Sequence, residues 1–534
     1  MEISAPQKKE VVREFLKKGV LISSEVLGRI KESDDLSEIR SMLSGEVAGG
    51  ISVITEDAEA LLLKRGENVN WAELDKLNTL KQKGMHPKPG EKFSSYFSEG
   101  IKKDAKTEEA SHTGSSKVKV LFSYGKDSGK RSAEDFSQHF LNRYYTIEKI
   151  LRNRQELKNA LSISRILGKK DKENVAAIGF VAEKQTTKNG NVMLSLEDPT
   201  GSIKAVVSKS KPELFNFARS LVLDDMVGVS GVNGQKIIFT NSIFLPDIPI
   251  THEAKKSGAE EYTIFLSDLH VGSMNFLEDD FNRFLKWINQ EIGSEEQRRT
   301  ASLVRYIFII GDLVDGCGIY PEQDKELLIK DLNDQYKECA RLLGKIPKHI
   351  PLIICPGNHD AMRVAEPQLK LYEDFCGPLY ELPNAVMVSN PAIINIGSTE
   401  NFPGFNVLMY HGYSFDHYAA EVDSIRNGGG YDRADLIMKF LLQRRHLAPT
   451  HASTLYIPDT DKDHLVIEQI PDFFVSGHIH KATCSNYKNV TMICSSCWQS
   501  KTAFQEKVGH NPEPSRAPIV NLQTREVKML KFGK

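Results

Sequence analysis

Cysteine is scarce and unevenly placed: the 534 residues hold 7, all from Cys317 onward. An odd number at low density in a long chain excludes a disulfide framework and fits a reducing compartment. Long apolar runs are missing too, and none approaches the roughly 18 residues a membrane span needs. The opening segment, MEISAPQKKEVVREF, has no apolar h-region and no cleavage-like site, so a cytoplasmic protein without a membrane anchor is expected. Nor is there an excess of one charge. Lys and Arg total 69, Asp and Glu 71, for a formal net charge of −2. That excludes a uniformly basic nucleic-acid coat and leaves a local basic groove open. An apolar share of 40% against 26% charged residues suffices for a sizeable core. At roughly 100–200 residues per domain, the length predicts about three or four domains.

Periodicity divides the chain. Over 1–80 apolar residues recur at helical spacing (Val11, Val12, Phe15, Leu16; then Leu21, Val26, Leu27, Ile30), which predicts a small helical module. Residues 81–134 are rich in Pro, Gly, Ser and Lys and read as a flexible linker. The next region, 135–255, begins with a helix over 135–151 whose expected face is Phe136, Phe140, Leu141, Tyr144 and Ile147. From 173 the pattern alternates, with turns at 188–190 and 198–201. Val192, Leu194 and Leu196 share one strand face, and Ile203, Ala205 and Val207 the next. Five short strands with a helix-like insert over 211–220 fit an OB-like Greek-key barrel. Its aromatics are all explicable as core, so strand binding there is the weaker reading.

The region 256–534 alternates strands and helices. Strands are expected at Tyr262–Leu266, 306–310, Leu352–Cys355, 407–410 and 473–475, and helices at 278–290 and 324–343. Each strand runs into a polar cluster: Asp268-Leu-His270, Gly311-Asp312-Leu-Val-Asp315, Gly357-Asn358-His359-Asp360, His411-Gly412 and Gly477-His478-Ile-His480. Strand ends of α/β folds converge on one crevice, so these clusters can surround one point. Asp268, His270, Asp312, Asn358, His411, His478 and His480 form an oxygen and imidazole set without thiolate. It suits Mn²⁺, Mg²⁺, Zn²⁺ or Fe. Seven ligands exceed one tetrahedral site and fit two ions with Asp312 shared. Asp268, His270 and His480 would complete one site; Asn358, His411 and His478 the other. Two ions about 3.5–4 Å apart can activate a water and clamp a phosphoryl oxygen.

His359 is the expected catalytic imidazole, acting on the scissile phosphate or the leaving oxygen. Asp360 either holds its tautomer or serves the loop, and Asp315 either orients a histidine or caps a turn. Residues 416–432, with Arg426 and three glycines, are a candidate mobile rim, and Arg444-Arg445 could meet phosphate or face solvent. His349, His446, His451 and His464 are read as ordinary structural histidines. Cys494-Ser-Ser-Cys497, with Cys484 and His510, hints weakly at zinc; a buried strand and turn is the stronger reading.

Together SDLHVGS, GDLVDG, PGNHD, MYHG and SGHIH resemble the calcineurin-like metallophosphoesterase pattern. A barrel followed by that domain resembles the small subunits of replicative DNA polymerases, most closely those of the archaeal family D enzymes. The resemblance implies a multidomain α+β protein: helical module, OB-like barrel, then a calcineurin-like α/β sandwich. It implies a proofreading 3′–5′ exonuclease that works on single-stranded or mismatched DNA 3′ ends at the replication fork, with two divalent ions, preferably Mn²⁺. It also implies a large catalytic subunit as partner, with sliding-clamp contact open to the assembled enzyme. Two other readings stay open: a catalytically silent assembly subunit, and a phosphoesterase for a non-DNA substrate. No segment resembles a polymerase active site.

Overall fold

The computed structural model describes residues 20–22, 52–54, 118–126 and 129–533. Most of the expected helical module and of the linker lies outside them. Within 1–80 the described residues are two strands, β1 (Val20–Ile22) and β2 (Ser52–Ile54), paired in parallel; helical spacing around Leu21 does not produce a helix there.

The remainder contains two six-stranded sheets and a closed barrel. The first sheet is built on β9 (Tyr262–Leu266), β10 (Val304–Ile310), β11 (Leu352–Cys355) and β12 (Ala385–Met387), all parallel. It is extended on the β9 side by the antiparallel strands β18 (Arg516–Asn521) and β19 (Val527–Lys531). The second runs in the order β16 (Thr483–Tyr487), β17 (Val490–Cys494), β15 (Phe473–Ser476), β14 (Phe405–Met409), β13 (Ala392–Ile396) and β3 (Val118–Ser123). Alternation along β10 explains the layering: Tyr306, Phe308 and Ile310 meet Val407, Met409 and Phe473 of the other sheet, while Ile307 and Ile309 face the opposite side. That opposite side is covered by the helices Glu278–Ile288 and Leu332–Leu343. The helix Ala434–Arg444 covers the outer face of the second sheet. Strands buried on both faces read as unbroken apolar runs, which is why VRYIFII and LIIC are so conspicuous in the sequence.

β3 corrects the linker reading. Val118–Ser123 pairs with β13 from Ala392↔Ser123 to Ile396↔Val118, so its partner lies some 270 residues downstream and no local pattern announces it. The helix expected over 324–343 begins only at Leu332, where Asp331 caps the N–H groups of Asn333 and Asp334.

The barrel consists of β4 (Asn174–Thr186), β5 (Val192–Asp198), β6 (Gly201–Val207), β7 (Met226–Asn233) and β8 (Ile237–Phe244), closed in the order β4-β5-β6-β8-β7. The thirteen-residue β4 pairs with both β5 and β7, and the helix Pro212–Ser220 lies between β6 and β7. Val192, Leu194, Leu196, Ile203, Ala205 and Val207 fill its interior. The helix preceding it, Ala133–Leu151, is opened by a reciprocal Ser132–Asp135 capping box. Its buried face is His139, Arg143, Tyr144, Ile147 and Leu151; Phe136 of the expected stripe is exposed. The shift has an ionic cause. Asp463 accepts from Arg143 Nε at 2.5 Å and from His446 Nε2 at 2.9 Å, drawing the polar flank of the helix inward.

Candidate metal centre

The parallel strands β9, β10 and β11 of the first sheet and β14 and β15 of the second deliver their following loops to one end of the double sheet. There Asp268, His270 and His480 bring their ligand atoms within 4.8 Å of one another, and so do Asp312, His411 and His478. Asp312 lies between the sets: its Oδ2 is 3.3 Å from His411 Nε2 and 3.9 Å from His270 Nε2. Asn358 joins the second set, with Oδ1 3.0 Å from His411 Nε2. All seven residues singled out in the sequence for metal binding meet here.

The backbone is held in an uncommon conformation to achieve this. Asp268, His270, Asp312, His478 and His480 have φ values of +52°, +52°, +51°, +70° and +54°. The left-handed region costs on the order of 1 kcal/mol or more for a residue with a side chain, and such outliers cluster at functional sites. Two glycines make the close approach possible. A Cβ at Gly357 would overlap the Asp312 carboxylate, and one at Gly477 would overlap Ser267 and Asp268.

The donor set passes a direct test for a cation. His411 Nδ1 lies 2.8 Å from the Ile310 carbonyl, which can only accept, so Nδ1 carries the proton. In the neutral ring the Nε2 lone pair then meets oxygens of Asn358 and Asp312, both acceptors. Three converging lone pairs need a proton or a metal ion. Without an ion the proton answers: burial would lower the His411 pKa, but the Asp312 and Asp268 carboxylates push it up to about 10. The same histidine, with His359 and His270, overcomes the burial of Asp312 and holds its pKa well below the usual carboxylate range. In the other set His270 Nε2 lies 3.1 Å from His480 Nε2 and the latter 3.2 Å from Asp268 Oδ1.

The surrounding residues separate the alternatives left by the sequence. Asp315 sits beside a histidine, its Oδ1 lying 3.1 Å from His270 Nδ1. Gln499 and Gln323, which no local motif marks, donate to its two carboxylate oxygens at 2.8 and 3.0 Å. Asp416 lies 3.1 Å from His478 Nε2, and Gln505 3.0 Å from His480 Nδ1. His359 donates its backbone N–H to Asp312 Oδ1 and its ring Nδ1–H to the Asp315 carbonyl, each at 2.8 Å. Its ring stands edge-on to His270, with centroids 4.6 Å apart. Burial lowers its pKa, favouring the neutral ring.

Asp360 does not touch the His359 ring. It accepts from Gly357 N–H at 2.8 Å, Leu313 N–H at 3.2 Å and Tyr336 O–H at 3.1 Å, so it serves the loop that carries the site. Burial first, and Asp312 second, raise its pKa to about 7. Arg444 and Arg445 are both buried and neither faces solvent. Arg444 makes a bidentate pair with Asp225 (2.7 and 3.0 Å), and Arg445 donates to the Ile467 and Glu468 carbonyls. Residues 416–432 are mostly short helices, Phe415–Glu421 and Asp423–Arg426 with a 3-10 turn at Gly430–Asp432, in place of an open loop. Cys494 ends a buried strand and Cys497 is buried after it; among the described residues no metal-competent cluster includes a cysteine.

The calcineurin-like phosphoesterase family model matches residues 262–482, the segment that holds all seven ligand candidates. Along almost the whole chain there is similarity to the DNA polymerase II small subunit of Methanothermobacter thermautotrophicus: 35% identity over 527 residues, covering 98% of this chain and 100% of that one. The chain belongs to the archaeal DNA polymerase II small-subunit family. The Archaeoglobus fulgidus member is 35% identical over 409 residues, covering 77% of this chain and 79% of its own. The Pyrococcus horikoshii member is 37% identical over 419 residues, 78% of this chain, and the match spans 65% of that longer protein. In this chain a phosphoesterase domain is joined to a closed five-stranded barrel, and among the described residues no helix is long and apolar enough to cross a membrane.

Proposed function

We propose that this small subunit is a metal-dependent 3′–5′ exonuclease that removes nucleotides from single-stranded or mismatched DNA 3′ ends for a separate, large polymerase subunit. The observation that carries the reading is the pair of donor sets meeting at Asp312, with the His411 tautomer fixed by Ile310 so that its Nε2 lone pair faces two oxygen acceptors. Asp268, His270 and His480 would hold one divalent ion and Asn358, His411 and His478 the other, with Asp312 common to both. Mn²⁺ is favoured by the family resemblance. Bound there, two divalent ions supply an activated water and neutralise charge on the phosphoryl oxygens.

The chain's own residues do the rest. The Asp315 carboxylate, 3.1 Å from His270 Nδ1, faces that ring, and Gln499 and Gln323 fix Asp315. The Asp315 carbonyl takes the Nδ1 proton of His359, leaving Nε2 without a hydrogen-bond partner among the described residues. In the neutral ring Nε2 carries a lone pair; once it takes up a proton, which the nearby Asp312 and Asp315 carboxylates favour against burial, it can donate to the scissile phosphate or the leaving 3′ oxygen. Asp360 keeps the loop bearing Asn358 and His359 in place through three hydrogen bonds.

The strand order β4-β5-β6-β8-β7, with a parallel β6–β8 closure and a helix between β6 and β7, supports an OB-like identity for the barrel within 135–255. The phosphoesterase domain then occupies 256–534, with work in DNA replication and a scaffolding role beside catalysis. Incubating the Mn²⁺-loaded chain, alone and with the large subunit, with end-labelled single-stranded DNA, a cyclic nucleotide and a phosphopeptide tests the substrate class. Stepwise 3′ shortening of the DNA alone is expected. Turnover of either other phosphoester with DNA untouched would contradict the reading.

A further inference from the structure

A groove of about 600 Å³ opens beside the metal centre, between the helix Phe415–Glu421, the segment 451–456 and Phe136 of the helix Ala133–Leu151. Its position is fixed by contacts to the site: Asp416, which lines it, is 3.1 Å from His478 Nε2, and the ring of Tyr413 stands edge-on to His478 with centroids 5.8 Å apart. The opposite wall is tied to the same strand end. Glu366 accepts from Tyr410 O–H at 2.9 Å, next to His411, and its backbone pairs with Leu455 and Ile457.

The lining suits a flat, neutral, aromatic guest better than a phosphate chain. No lysine or arginine lines the groove, and Asp416 is engaged by His478. Tyr456 and His451 are committed to each other through a 2.6 Å hydrogen bond. The imidazole of His417 and the hydroxyl of Tyr413 have no hydrogen-bond partner among the described residues, and both groups are half-buried at the groove. Phe136 is 37% exposed and Leu455 63%, an unusual cost for apolar side chains at the mouth of a polar site.

We propose that this groove receives the unpaired base of the DNA 3′ terminus while its phosphate lies over the metal centre. The inference rests on the exonuclease reading and adds to it the subsite that senses an unpaired end. A base held by its π-face is accepted whatever its identity, as removal of any mismatch requires, and only a base out of the duplex can enter. Phe136, His417 and Leu455 would hold the base; Tyr413 closes the end nearest the ions.

The test uses the full chain assembled with its large subunit and two 5′-labelled duplexes that differ only at the 3′ terminus. One ends in mismatched 2-aminopurine, the other in an abasic nucleotide. Single variants Phe136→Ala, His417→Ala and Leu455→Ala are compared with wild type in Mn²⁺, and aminopurine fluorescence is read under chelator. Wild type should show a KM about five- to a hundredfold lower for the aminopurine end than for the abasic end. The variants should lose most of that preference, and should lose the quenching seen when wild type binds. The wild-type comparison stands even if a variant fails to fold. Equal KM values for the two ends with no quenching would overturn the groove assignment. So would variants that fail only to assemble with the large subunit, since the face would then belong to that protein. Wild type that cleaves neither duplex yet quenches aminopurine would contradict the exonuclease reading and leave the base site standing.

Discussion

His411 and Asp312 meet at 3.3 Å with the histidine proton already spent on the Ile310 carbonyl. The contact is unfavourable for a neutral ring beside a carboxylate unless a cation stands between them. Metal and proton therefore compete for one position. Mn²⁺ should raise the thermal midpoint of wild type, by about 2.7 kcal/mol of stability at a hundredfold excess over Kd. Asp312→Ala should abolish that response, and calorimetric titration of wild type should show protons released as metal binds.

Asp315 stands beside His270, its Oδ1 3.1 Å from Nδ1, and groups with His270 and His359 within 4.8 Å. Asp315→Ala should weaken metal affinity roughly ten- to a hundredfold, the range for partners behind a ligating histidine. Gln499→Ala, which removes a 2.8 Å donor to Asp315, should do less than Asp315→Ala. Titration with Mn²⁺ followed by paramagnetic resonance measures both.

Asp360 stabilises a loop and leaves the His359 ring alone. Asp360→Ala strands two backbone N–H groups and the Tyr336 hydroxyl, at about 1–3 kcal/mol for each buried group left unpaired. Chemical denaturation should show that loss. The limb of the pH–rate profile assigned to His359 should stay in place in Asp360→Asn; a displaced limb would return Asp360 to a role on the imidazole.

His446 provides a pH dependence away from the metals. Its Nδ1 accepts the Ala448 N–H and its Nε2 donates to Asp463, so the neutral ring uses both nitrogens and an added proton has no acceptor. Burial first, then the charge of Arg143, lower its pKa to about 4. The folded value lies below the unfolded one, near 6.5. The stability it contributes is therefore complete above about pH 6.5 and is lost as pH falls towards 4, on the order of 3 kcal/mol in all. Denaturation midpoints of wild type should fall across that window, and those of His446→Gln should fall less.

Arg444 and Asp225 join the barrel to the helix Ala434–Arg444 through a buried bidentate pair. Arg444→Ala leaves Asp225 buried and unpaired, at about 3–5 kcal/mol, whereas replacing both by apolar residues should recover most of the loss. The two denaturation curves separate these outcomes.

How much of this was legible beforehand follows from the range of the interactions. Strands such as LIIC and FFV announce themselves because burial on both faces leaves no polar phase, and the residue after each strand end must enter the crevice. That is why the ligand candidates could be named in order. Arg444 could not be read, because its partner is 219 residues upstream. β3 was hidden for the same reason. Asp360 adjoins His359 in sequence, but neighbouring loop side chains point in different directions, so adjacency gave no guide to contact. Gln499 and Gln323 carry no motif; only the fold brings them to Asp315.

The central claim is tested most directly by time-resolved digestion of a 5′-labelled duplex with a 3′ mismatch, using the chain assembled with its large subunit, in Mn²⁺ and in chelator. Stepwise 3′ shortening in Mn²⁺ is expected, absent in chelator and lost in Asp312→Ala and His359→Ala variants that still fold and assemble. A full-length DNA band throughout, from a complex shown to bind two metal ions, would contradict it.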